Sequence, residues 1–149
     1  MARPLVAHVE LSALAANVAR VRAYAPRAEV LAVVKANAYG HGLERVLPAL
    51  DAADGLALIE LDAAIRLREH GYRRPLLLLE GFFDASELDA IAAHALGIVV
   101  HSDDQVRMLE RAALARPLDV WLKINSGMNR LGIDPGDARA MAARLDAAS

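Results

Sequence analysis

Two side-chain primary amines are available to this chain, Lys35 and Lys123; the other fifteen of its seventeen lysine and arginine side chains are arginine. Arginine stays protonated in proteins and cannot attack a carbonyl or form a Schiff base. Any amine chemistry must therefore use one of these two positions. Each closes a short apolar run, Leu31-Ala32-Val33-Val34 before Lys35 and Val120-Trp121-Leu122 before Lys123. In parallel α/β folds reactive groups gather at the carboxyl ends of strands, which is where both lysines fall. Desolvation at such an end favours the neutral amine, the form that attacks carbonyls. The segment Ala36-Asn37-Ala38-Tyr39-Gly40-His41-Gly42 then brings small residues, an amide and a phenol into one turn. Small residues let a planar ligand approach the backbone, and Tyr39 offers a hydroxyl to a phosphate or carboxylate.

Lys123 opens a second cluster, Lys123-Ile124-Asn125-Ser126-Gly127-Met128-Asn129-Arg130-Leu131-Gly132. Strand alternation puts Trp121, Lys123 and Asn125 on one face and Val120, Leu122 and Ile124 on the other. Arg130 lies beyond Lys123 across a glycine turn, so the loop can fold its guanidinium back over the amine. Two cations that close require an anion between them or the loss of one charge. An anionic ligand would serve, and so would modification of the lysine into an anion. Other signals are weaker. Gly40-His41-Gly42-Leu43-Glu44-Arg45 lacks the third glycine of a dinucleotide fingerprint. His41 between glycines reads as structural, and the five histidines show no paired metal-ligand spacing. Glu60 and Glu80 end the second and third strands, where a carboxylate serves either a site or a hydrogen-bonding role.

The elements that must position these groups alternate between strand and helix. Helices are expected over Leu11–Ala25 with Ser12 as cap, His41–Asp51, Leu61–His70, Asp84–His94, Ser102–Arg116 with Ser102 as cap, and Pro135–Ala147. Strands are expected over Glu29–Ala36, Gly55–Glu60, Pro75–Glu80, Gly97–His101 and Asp119–Asn125, with a polar loop over Ser126–Asp134. The first strand is continuously apolar, the pattern of a strand covered on both faces. Such βα units fit either a (β/α)8 barrel or a doubly wound sheet. A complete barrel takes about 250 residues, so a barrel reading gives about five strands here and leaves the edge of the fifth unpaired.

The chain has 149 residues, 56% hydrophobic and 24% charged, enough to bury a core. A net charge of −2 argues against phosphate-driven nucleic-acid binding. No apolar run approaches the roughly 18–20 residues of a membrane span, and no signal-type segment comes after Met1. The absence of cysteine removes disulfides, thiolate metal sites and thiol nucleophiles. These features lead us to expect a cytoplasmic chain with no nucleic-acid, membrane or metal partner.

The run from Ala32 to Gly42 closely resembles the cofactor-binding signature of alanine racemases. Arg3-Pro4, Glu80-Gly81-Phe82-Phe83 and Leu122-Lys123-Ile124-Asn125-Ser126-Gly127-Met128-Asn129-Arg130-Leu131-Gly132 agree in the same order, in a form similar to the proteobacterial branch. The resemblance covers essentially all of residues 1–149. It implies the N-terminal part of a (β/α)8 TIM barrel without the family's C-terminal β domain, and a pyridoxal 5′-phosphate (PLP) enzyme that interconverts L- and D-alanine as a homodimer. That activity supplies D-alanine for the cell wall or for alanine catabolism.

By position, the resemblance makes Lys35 the covalent anchor of the cofactor and the base on one face of the α-carbon. Tyr39 would bind the cofactor phosphate, and Arg130 the cofactor's phenolic oxygen and the substrate carboxylate. Lys123 would be carbamylated and hold Arg130. The family's opposite-face tyrosine, its arginine at the pyridine nitrogen and most of its phosphate ligands come from later segments. These 149 residues are therefore expected to be inactive alone. The alternatives are another PLP-barrel amino-acid racemase and a non-catalytic PLP-binding or complementation fragment.

Overall fold

A computed structural model describes residues 5–148. Arg3-Pro4 lies outside the described residues. Five strands, β1 (Leu31–Val33), β2 (Gly55–Leu58), β3 (Leu76–Leu78), β4 (Gly97–Val100) and β5 (Val120–Leu122), form one parallel sheet in the order β1-β2-β3-β4-β5. A doubly wound sheet changes direction at a switch point. Here every strand pairs with its neighbour in sequence, which is the order of an arc of a (β/α) barrel. The helical segments are α1 (Leu11–Tyr24), α2 (Lys35–Tyr39), α3 (Leu43–Val46), α4 (Leu61–Glu69), α5 (Leu88–Ala93), α6 (Asp103–Arg111) and α7 (Ala138–Ala147).

The two sheet faces differ. Leu56, Leu58, Leu76, Leu78, Ile98 and Val100 pack with Ala64, Ile91, Val106 and Leu145 from the helices into the main core. The opposite face carries a smaller cluster of Ala57, Leu77 and Val99. By register Val33 joins the row of Ala57 and Leu77, and Trp121 pairs with Val99. Both lie on edge strands, and they remain 43% and 55% exposed. The expectation that β1 is covered on both faces therefore fails at Val33. Continuous apolar character describes what a strand can bury and does not say which neighbours are beside it.

Several element ends also move. β1 stops at Val33, short of the expected Ala36, because the backbone turns left-handed at Ala36. The helix expected over His41–Asp51 is α3 followed by a 3-10 turn, Leu47–Leu50, with Pro48 at its start. That expected over Asp84–His94 is a 3-10 turn, Ala85–Glu87, capped by Asp84, followed by α5. α6 ends at Arg111, five residues early, where Ala112 becomes extended and Leu114 and Leu118 fold back against the core. α7 starts at Ala138 and not at Pro135, since the Asp134 carboxylate accepts the Gly136 amide and holds a turn there. Ser12 does not cap α1; its hydroxyl donates to Glu10. Ser102 does cap α6, accepting the Gln105 amide at 3.3 Å. Among the described residues no helix is long and apolar enough to cross a membrane.

Ion pairs brace the layers at both ends of the arc. The Asp54 carboxylate accepts the Val30 amide at 2.7 Å and the Arg22 guanidinium at 2.5 Å, tying α1 to the entries of β1 and β2. At the other end Arg144 on α7 donates to both oxygens of Glu110, at 2.7 and 2.8 Å, and to Asp103 at 2.5 Å, both on α6. These bonds from Arg144 hold the Asp103 and Glu110 carboxyls below their ordinary range. A lowered carboxyl pKa contributes stability that is complete above the unfolded-state value and lost as pH falls through the folded-state value. Chemical unfolding of the parent chain and of Arg144→Met should therefore differ by a constant margin above about pH 6, and the margin should shrink towards pH 3. A margin independent of pH would show that Arg144 acts by packing alone.

Candidate functional site

The carboxyl end of β1 is built from an unusual backbone. After the buried Val34, residues Ala36, Asn37, Ala38 and Tyr39 all have φ between 52° and 55°, and Gly40 comes next at 83°. Four successive non-glycine residues in the left-handed region form a left-handed helical turn, where each L-residue costs on the order of 1 kcal/mol. Local composition permits it, because two of the four are alanine and none is β-branched. Hydrogen bonds offset the cost. Ala38 donates to the Val34 carbonyl at 2.8 Å, Gly40 to Ala36 at 3.0 Å and Gly42 to Asn37 at 3.0 Å. The Asn37 side-chain oxygen accepts the Leu43 amide at 2.8 Å, joining the turn to α3. From the end of β2, the Glu60 carboxylate accepts the Ala36 amide at 2.8 Å.

This turn is bracketed by the two candidate groups of the first cluster. Lys35 is half-buried at its start and Tyr39 is exposed at its end, while Ala38 between them is buried. His41 is structural, as expected, with its ring Nδ1 2.8 Å from the Ala38 carbonyl. Glu60 takes a hydrogen-bonding role.

The second cluster comes directly after β5. The Lys123 amide donates to Val100 at 2.8 Å, and its carbonyl accepts the Ile133 amide at 2.8 Å, so its backbone is held from both sides. Asn125 organises the loop: its side-chain oxygen accepts the Gly127 and Asn129 amides at 3.1 Å, and its nitrogen donates to Asn129 at 2.8 Å. Gly132 closes the neck at φ 117°, where an added Cβ would stand 2.7 Å from the Asn125 nitrogen. The alternation expected through Asn125 stops at Leu122. Ile124 leaves the ladder, bridges Ile133 and is 47% exposed, so it does not share the buried face of Val120 and Leu122.

Arg130 is exposed, on the loop that Asn125 and Asn129 shape by their own bonds. Lys35, Lys123 and Arg130 have no carboxylate partner among the described residues, as is true of most of the described arginines; Arg22, Arg74, Arg107 and Arg144 have one.

One positioning side chain has no clear mark in the sequence. Gln105 is 3% exposed, the buried polar side chain of the core. Its amide nitrogen donates to the carbonyls of Glu80 and Phe82 at 3.0 Å each, and its oxygen accepts the His101 amide at 2.8 Å. It fastens the loop after β3 to the end of β4. Gly81 lies beneath it at φ 68°, and an added Cβ would stand 2.4 Å from the Val99 carbonyl oxygen. The signal available in sequence is Ser102-x-x-Gln105, a capping-box spacing. Here the glutamine reaches one residue further back, to His101.

The whole chain has known relatives. Residues 9–149 match the family model described as alanine racemase, N-terminal domain. An alanine racemase of Janthinobacterium sp. (strain Marseille) is 56% identical over 147 residues, covering 99% of this chain and 41% of the relative. A catabolic alanine racemase of Salmonella typhimurium is 49% identical over 147 residues, with 99% and 41% covered. Among solved structures, the biosynthetic alanine racemase of Pseudomonas aeruginosa superposes with a TM-score of 0.91 at 46% identity, covering 97% of this chain and 41% of that one. The chain thus spans about two fifths of the length of the relatives it matches. Sheet order, strand-end lysines and these likenesses agree, and the chain belongs to the alanine racemase family, whose N-terminal domain it matches.

Proposed function

We propose that residues 1–149 are the N-terminal barrel portion of a PLP-dependent alanine racemase, a cytoplasmic homodimer that supplies D-alanine for the cell wall or for alanine catabolism. One observation carries the assignment of the site: both amines of the chain stand just beyond the carboxyl ends of β1 and β5, and neither has a carboxylate partner among the described residues. The donor set fits the cofactor. Lys35 offers an amine for an aldehyde, Tyr39 a hydroxyl for a phosphate, and Arg130 a guanidinium for a phenolate or carboxylate. PLP, when bound, supplies the electron sink that makes the α-proton of an amino acid removable. Lys35 would hold the cofactor covalently and, once the amine of alanine displaces it, its freed amine would take or return a proton at the alanine α-carbon from one face. Tyr39 donates to the phosphate. Arg130 binds the phenolic oxygen and orients the substrate carboxylate. Lys123, once carbamylated, becomes an anion and draws Arg130 into place, which removes the repulsion between two neighbouring cations.

Inversion needs a second proton carrier on the opposite face of the α-carbon. The exposed edge strands β1 and β5 support the view that further strands complete this site. These residues alone are therefore expected to bind PLP without racemising alanine. The test is borohydride reduction of the chain with PLP, followed by peptide mass mapping and by an assay of D-alanine formation. Selective labelling of Lys35 without turnover is the expected result. Equal labelling of both lysines would sink the assignment of Lys35, and turnover would sink the claim of inactivity.

A further inference from the structure

The left-handed turn after Lys35 is held from outside by one side chain from the next βα unit. Glu60 stands just beyond β2, and its Oε1 accepts the Ala36 amide at 2.8 Å. That amide belongs to the peptide unit between Lys35 and Ala36, so holding its plane restrains ψ of Lys35, the rotation that relates the side chain's direction to the turn. The other carboxylate oxygen accepts the Ile59 amide at 3.3 Å, which holds Glu60 against its own strand end. The remaining bonds of the turn are local: Ala38 to Val34, Gly40 to Ala36, Gly42 to Asn37 and Leu43 to the Asn37 side chain. The Val34 amide donates to Ala57 at 2.8 Å, the last ladder bond between β1 and β2 before the turn. Beyond that point the Glu60 side chain, just after β2, couples the two units.

We propose that Glu60 is a positioning residue for Lys35, acting through the Ala36 amide by holding the left-handed turn that aims the amine. This rests on the reading of Lys35 as the PLP-binding amine, and it assigns Glu60 a role that requires an acceptor oxygen, not a charge. Glutamine keeps one acceptor oxygen for the Ala36 amide, giving up the weaker bond from Ile59 at 3.3 Å, and alanine removes both acceptors.

The test compares the chain with Glu60→Ala and Glu60→Gln by two readouts, amide hydrogen exchange and PLP–borohydride labelling. For Glu60→Ala, exchange in residues 35–43 should rise at least about tenfold while exchange in β4 and α6 stays unchanged. Labelling of Lys35 should fall several-fold, with labelling of Lys123 unaffected. Glu60→Gln, which keeps the acceptor for Ala36, should restore most of both. Loss of protection throughout Glu60→Ala would overturn the proposal, since it would make Glu60 a general stabiliser. So would unchanged exchange over residues 35–43, or failure of Glu60→Gln to restore it. If the parent chain is not labelled at Lys35, the functional reading fails by itself, and the exchange readout still decides whether Glu60 holds the turn.

Discussion

Lys35→Met is expected to abolish reductive attachment of PLP to this chain, by more than about a hundredfold, because no arginine can replace the lost amine. Lys123→Met should leave attachment within about twofold, since Lys123 is assigned to Arg130 and not to the aldehyde. Both variants should fold, because neither ε-amine makes a hydrogen bond or ion pair among the described residues. Far-ultraviolet circular dichroism checks that condition, and peptide mass mapping after borohydride reads the result. Persistent labelling of Lys35→Met at Lys123 would mean that the site lies at β5 or that attachment is unselective. The contrast is informative because the two amines have equivalent places in the topology, each just after a parallel strand, and differ in the backbone beyond them. Lys35 opens a left-handed turn, whereas Lys123 enters a loop organised by Asn125.

Gln105→Leu is expected to cost about 2–4 kcal/mol, because it strands the buried Phe82 carbonyl and the His101 amide and leaves the Glu80 carbonyl only its contact with the His101 ring at 3.2 Å. Leucine has nearly the right volume, so the loss measures hydrogen bonding more than packing. The thermal midpoint should fall by on the order of 10 °C. Gly81→Ala should be comparably damaging for a different reason. Its φ of 68° disfavours a side chain, and the new Cβ would meet the Val99 carbonyl oxygen, a backbone atom that cannot swing away. Both changes release the same loop between β3 and α5, so the double variant should lose clearly less than the two single losses added together. Additive losses would show that Gln105 and Gly81 support separate structures. Unchanged stability of Gln105→Leu would mean that water replaces the side chain.

The strand-end positions of the two lysines were the most legible part of the sequence. Lys35 and Lys123 stand out because amines are scarce in this chain, and because a strand end can be read from an apolar run that stops at a polar residue. The alternation of strands and helices came from hydrophobic periodicity, a property of neighbours in the chain. Ends of elements were less legible. α6 stops at Arg111 because Leu114 and Leu118 have a place on the core to reach, and no residue between 111 and 116 announces it.

Other features had no local signal. Strand order separates a barrel arc from a doubly wound sheet, yet both use the same βα units, and only pairing between distant segments distinguishes them. The exposure of Val33 and Trp121 comes from their place at the two sheet edges and not from their hydrophobicity. The left-handed turn after Lys35 runs against the intrinsic preference of alanine and tyrosine; its support includes Glu60, brought in from the next strand. Gln105 looks like an ordinary capping residue until the loop after β3 is laid across it. The residue types able to react are a matter of composition. Where their backbone points is set by hydrogen bonds between segments more than twenty residues apart, and a one-dimensional pattern does not carry those bonds.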